Sequence, residues 1–82
     1  MTILKKIETV LPSGVTEETI TARIDGLGIV ESSIELTMDR ETGDGLVCGR
    51  FASLNEEPVG HISGLHIALR DSDEAKVREL LS

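Results

Sequence analysis

The chain has 82 residues, 39% of them hydrophobic, with 15 acidic against 8 basic side chains, a formal net charge of −7 and one cysteine. That length fits one domain spanning 1–82, and the acidic field disfavours direct nucleic-acid binding while favouring partners with basic surfaces. Cys48 has no disulfide partner, and no run approaches the roughly 18 apolar residues of a membrane span, so a cytoplasmic, non-membrane protein is expected.

Met1–Leu11 comes first and reads two ways. Ile3, Leu4, Ile7, Val10 and Leu11 follow helical spacing, which favours helix over strand, and Pro12-Ser13-Gly14 ends the element in either case. Val15–Gly28 also carries helix signals. Thr16 is an N-cap candidate, Glu17 and Glu18 suit the positive end of a helix, and Ile20, Ile24 and Leu27 supply a buried stripe. The rival is a strand, because Thr19–Asp25 alternates polar with apolar residues and is rich in β-branched side chains.

Ser33–Asp39 is the strongest strand signal, with Ile34, Leu36 and Met38 facing inward. Gly45–Ser53 pairs with it as a hairpin. Val47 and Phe51 on one side and Leu46 and Cys48 on the other suggest a strand covered on both faces. After a turn at Asn55–Pro58, Val59–Arg70 reads as a further strand with Leu65, Ile67 and Leu69 on one side. A terminal helix opens at Asp71-Ser72, pairs Glu74 with Arg78 and presents Val77, Leu80 and Leu81. The expected class is α+β, a single layer of three to four mostly antiparallel strands packed with two helices.

In order along the chain, Leu11–Glu18 (LPSGVTEE), Leu27-Gly28, Asp39–Gly43 (DRETG) and Gly45–Ser53 (GLVCGRFAS) resemble phrases of the RNA-recognition-motif family. The resemblance implies a ferredoxin-like βαββαβ fold. Where that family presents a basic residue and two aromatics to RNA, this chain has Asp44, Leu46 and Cys48, and Ile7 stands at the first strand's aromatic position. It therefore implies a copy suited to protein rather than RNA.

The search for chemistry yields no catalytic, cofactor or metal set. His61 and His66 are five apart, a spacing that suits neither strand nor helix for a shared metal. Cys48 reads as a small buried hydrophobe, and Ser63 has no triad partners nearby in sequence. Asp39, Glu41 and Asp44 do not match a calcium loop, because its glycine is out of phase and Arg50 stands at the closing position. The expected function is a non-enzymatic acidic binding protein whose partner-binding residues are Glu17, Glu18, Glu35, Asp39, Glu41, Asp44, Glu56 and Glu57. It would dock on the basic surface of a protein, in the extreme as an inhibitor imitating nucleic-acid charge. The alternatives are a self-assembling homo-oligomer, and an RNA-binding domain whose Lys5, Lys6, Arg23, Arg40, Arg50 and Arg70 cluster in space.

Overall fold

A computed structural model describes residues 1–38 and 45–82 of the chain. Asp39, Glu41 and Asp44, and the turn expected there, lie outside the described residues, as do the side chains of Met38, Leu46, Val47 and Cys48. The elements run β1 (Thr2–Val10), β2 (Thr16–Ile24), β3 (Gly28–Met38), β4 (Gly45–Leu54), β5 (Glu57–Pro58), α1 (Leu65–Arg70) and α2 (Glu74–Leu81). The strands form one antiparallel meander in the order β1-β2-β3-β4-β5, so the α+β class holds with five strands rather than three or four. All strands precede both helices, which is not the βαββαβ order that the family resemblance implies.

Burial against one sheet face decides β2 and α1, and hairpin pairing decides β1. In β2, Glu18, Ile20, Ala22 and Ile24 are buried while Thr19, Thr21 and Arg23 are not, a two-residue period that a helix could not satisfy. β-branched threonines and isoleucines suit that pleated surface, and their preference outweighs the capping signals at Thr16–Glu18. β1 is also a strand rather than a helix, fixed by its hairpin with β2. Its apolar side chains lie at helical spacing, yet the strand is exposed throughout. Val59–Arg70, expected as a strand, instead ends in α1, where Leu65, Ala68 and Leu69 are buried at i, i+3, i+4 and Ile67 is 61% exposed.

Turn chemistry sets the hairpins. The amide of Gly14 donates to Leu11 O and that of Leu11 to Val15 O, with Gly14 at φ 87° closing the β1–β2 loop. Asn55 and Glu56, at φ 52° and 70°, form the two-residue β4–β5 turn that a right-twisted hairpin favours. Asn55 also clamps the neighbouring β2–β3 turn. Its Oδ1 accepts from the Ile29 amide at 2.9 Å and its Nδ2 donates to Leu27 O at 3.0 Å.

Gly28 sits under that clamp at φ 113°, and a Cβ there would occupy the space of the Asn55 carboxamide. Gly28→Ala therefore loses the clamp and adopts a strained φ together. It should cost about 2–3 kcal/mol in a urea denaturation series, and Asn55→Ala about 1 kcal/mol. If Gly28→Ala were the milder of the two, the clamp geometry would be wrong.

Both helices pack on the same face of the sheet, with α1 over β2 and β3. Among the described residues, Ile20, Ile24, Val30, Leu65, Leu69 and Val77 are the largest fully buried side chains, and Ala22, Ala52 and Ala68 let the two layers approach closely. The connection between the helices is tight. Ser72 at φ 55° lets the Asp73 amide reach Ala68 O and its own amide reach Leu69 O, a Schellman closure, and Asp73 then caps α2 by accepting from the Lys76 amide at 3.2 Å. The expected terminal helix is thus present, with Val77 buried and Arg78 3.7 Å from Glu74.

Candidate functional site

Among the described residues, no helix lies on the second face of the sheet. On it β2 places Glu17, Thr19, Thr21 and Arg23, β3 places Glu31, Ser33 and Glu35, and β4 places Phe51. The register sets Glu17 directly opposite Glu35 and Ser33 opposite Phe51, which is 49% exposed. Glu17, Ser33, Glu35 and Phe51, with Arg50 at the margin, bound a shallow depression of about 380 Å³. Hydroxyl pairs finish the surface. Thr19 Oγ1 lies 2.8 Å from Ser33 Oγ, and Thr21 Oγ1 donates to Glu31 at 3.4 Å.

Two opposed carboxylates on neighbouring strands repel one another, and a cation between them removes that cost. Phe51 beside them offers a ring face to the same cation and a dry wall to the aliphatic stem of a Lys or Arg. The depression therefore has the chemistry to take a basic side chain from outside.

The expected contact residues divide four ways. Glu17 and Glu35 come together on the uncovered face. Glu56 and Glu57 are exposed, but on the turn at the other end of the sheet, roughly 20 Å away along β3. Asp39, Glu41 and Asp44 lie outside the described residues. Glu18 faces the other way. It is 6% exposed beneath the helix layer and belongs to an internal network, so it is no surface contact.

That network was hidden from the sequence, because Glu18 lies 14 to 52 positions from its other members, on two further elements. Ser32 Oγ is 2.9 Å from His66 Nδ1, His66 Nε2 is 2.8 Å from Glu18 Oε1, and Arg70 donates to the same oxygen from Nε at 3.1 Å and Nη2 at 2.9 Å. With the carboxylate charged, Nε2 donates to Glu18 and a neutral ring accepts from the Ser32 hydroxyl at Nδ1. Burial works to raise the Glu18 pKa, and the hydrogen bonds from His66 and Arg70 outweigh it and hold the carboxyl below its ordinary 4.5. The only sequence signal was period: Glu18 shares the inward parity of Ile20, Ala22 and Ile24.

Serine, histidine and acid stand in a row, as in hydrolases, but both ring nitrogens are engaged and Ser32 is 4% exposed in the middle of a strand. The row ties α1 to β2 and β3. Beside it runs a groove of about 340 Å³, whose described lining includes Arg50, His61, His66 and Arg70 and no acidic residue. Arg50 Nη1 donates to His61 Nε2 at 2.7 Å. Arginines 50 and 70 and Lys6 are therefore on the helix side, Lys5 and Arg23 lie on the uncovered face, and Arg40 is outside the described residues, so the five described cations do not form one patch.

Among the described residues, no group of three or more His, Cys, Asp and Glu side chains could hold a metal, and no helix is long and apolar enough to cross a membrane. None of the family models, curated proteins or solved structures compared with this chain matches it.

Proposed function

We propose that this chain is a small acidic, non-enzymatic binding protein that docks the uncovered sheet face on the basic surface of a protein partner. The observation that carries this reading is the Glu17–Glu35 pair beside Phe51, two carboxylates opposed across a strand pair on a face that no helix covers. The depression that Glu17, Ser33, Glu35 and Phe51 line is open to solvent at that end of the face, and its carboxylates suit a partner's Lys or Arg. A partner that ordinarily holds nucleic acid fits the same chemistry, which makes inhibition by charge imitation the strongest form of the reading.

The test is capture of a partner from the host's lysate on the immobilised chain, at low salt and then high. Glu17→Lys combined with Glu35→Lys reverses the sign of the face, and circular dichroism of the double variant checks that the fold persists. Retention should fall at least about ten-fold with this double variant, while Glu56→Lys with Glu57→Lys should change it less than about two-fold. Equal retention by the Glu17/Glu35 variant, or a partner that high salt does not release, would contradict the proposal.

A further inference from the structure

We propose that two copies of this chain pair through β1, antiparallel about a two-fold axis at Ile7, to make one continuous ten-stranded sheet. β1 is the outer strand of the meander, and all nine of its residues are exposed, Ile7 at 43% and Val10 at 69%. Beyond a register shift at Ile3/Lys5, the stretch Lys5–Val10 runs in regular register with β2 and offers a row of backbone groups to another strand, with Ile7 and Val10 exposed among charged side chains.

The register follows from the hairpin. The Leu11 amide donates to Val15 O, so Leu11 points its backbone groups toward β2, and alternation then turns those of Lys6, Glu8 and Val10 outward. Antiparallel strands match outward residues only with outward residues, so position i must meet a position of the same parity in the second copy. Centring the axis on Lys6 sets lysine on lysine, and centring it on Glu8 sets glutamate on glutamate. Centring it on Ile7 sets Lys6 opposite Glu8 twice, Lys5 opposite Thr9, and Ile7 on Ile7 as a non-hydrogen-bonded pair, where side chains approach most closely.

Glu8 also gains what its own chain does not offer across the ladder. Its neighbour in β2 is Glu18, another carboxylate, and the second copy brings a lysine to its other side. Lysines on a bare edge discourage indiscriminate pairing, and of the three central registers only the one at Ile7 avoids a like-charge pair. Even parity keeps both helix layers on the same side, so the two uncovered faces join into one surface. The inference concerns a different edge from the proposed partner site, and a mass measurement reads it without any partner.

Sedimentation equilibrium of the purified chain across micromolar to millimolar concentration tests it. Wild type should have the mass of a dimer. Lys6→Glu and Glu8→Lys should each weaken association about 10- to 100-fold. A 1:1 mixture of those two variants should dimerise, because a strand with glutamate at both positions 6 and 8 then faces a strand with lysine at both, and each of the two cross-strand pairs is again of opposite charge. A monomeric wild type, or single variants that associate as well as wild type, would overturn the proposal. Circular dichroism separates loss of pairing from loss of fold, and the exposure of both side chains means the fold should persist.

Discussion

Replacing Glu18 by alanine should cost about 2–3 kcal/mol, a large share of the roughly 4–12 kcal/mol available to a domain of this size. The carboxylate is buried and accepts from His66 and twice from Arg70. Its removal leaves the Nε2–H of His66 without an acceptor inside the protein, which is the costlier half of the change. Arg70 is 41% exposed and can turn to water, which keeps the cost below the upper range for a severed buried ion pair. Glu18→Gln, which retains an acceptor, should lose about half as much. The midpoint of thermal unfolding should fall by roughly 10–20 °C for the alanine variant.

The same group gives stability a pH dependence with a definite sign. The folded-state pKa of Glu18 lies below the unfolded value near 4.5, so its contribution is complete above that value and disappears as the pH falls through the folded pKa. Wild type should therefore lose stability in acid more steeply than Glu18→Gln. Parallel curves for the two proteins would show that the carboxylate is not held as the geometry indicates.

Leu69→Ala should be at least as damaging, at about 3 kcal/mol. Leu69 is 1% exposed and, with Leu65 and Ala68, forms the side of α1 that packs on the sheet. Three lost carbons and a cavity in a two-layer core account for that figure, since the backbone of a six-residue helix closed by a Schellman turn has little room to collapse. Because Glu18 holds the same helix through His66 and Arg70, the double variant should lose less than the sum of the two singles. Urea midpoints at neutral pH for the two singles and the double variant close this cycle, and strict additivity would mean that the polar tie and the apolar contact act on separate elements.

The parts of the fold legible in the sequence were those where local chemistry and burial agree. β3 and the terminal helix are of this kind: Ile34 and Leu36 alternate and sit in a strand, and Val77 lies on a stripe that docks, whereas β4, expected to be covered on both faces, leaves Phe51 49% exposed. β2 was legible only as the rival reading. Its capping residues are those of a helix start, and the decision came from a sheet face that needed Ile20, Ala22 and Ile24 inward. Periodicity misleads for β1, because apolar residues on an edge strand need not be buried, and in α1 because six residues rich in Leu, Ile and Ala fit either period. At the candidate site, acidity drew attention to Glu17 and Glu35, but only the register set them opposite each other. It also turned Glu18 inward. Beyond the inward parity of Glu18, the Ser32–His66–Glu18 row left no local trace, since each member comes from a different element.

The central claim is that the uncovered face receives basic side chains, and amide chemical-shift mapping with a short arginine-rich peptide tests it most directly. Titration at low salt should move the resonances of Glu17, Thr19, Ser33, Glu35 and Phe51, leave α2 unmoved, and reverse on adding salt. Shifts concentrated on the groove side around His61 and Ile62, or none on β2 and β3, would contradict the account.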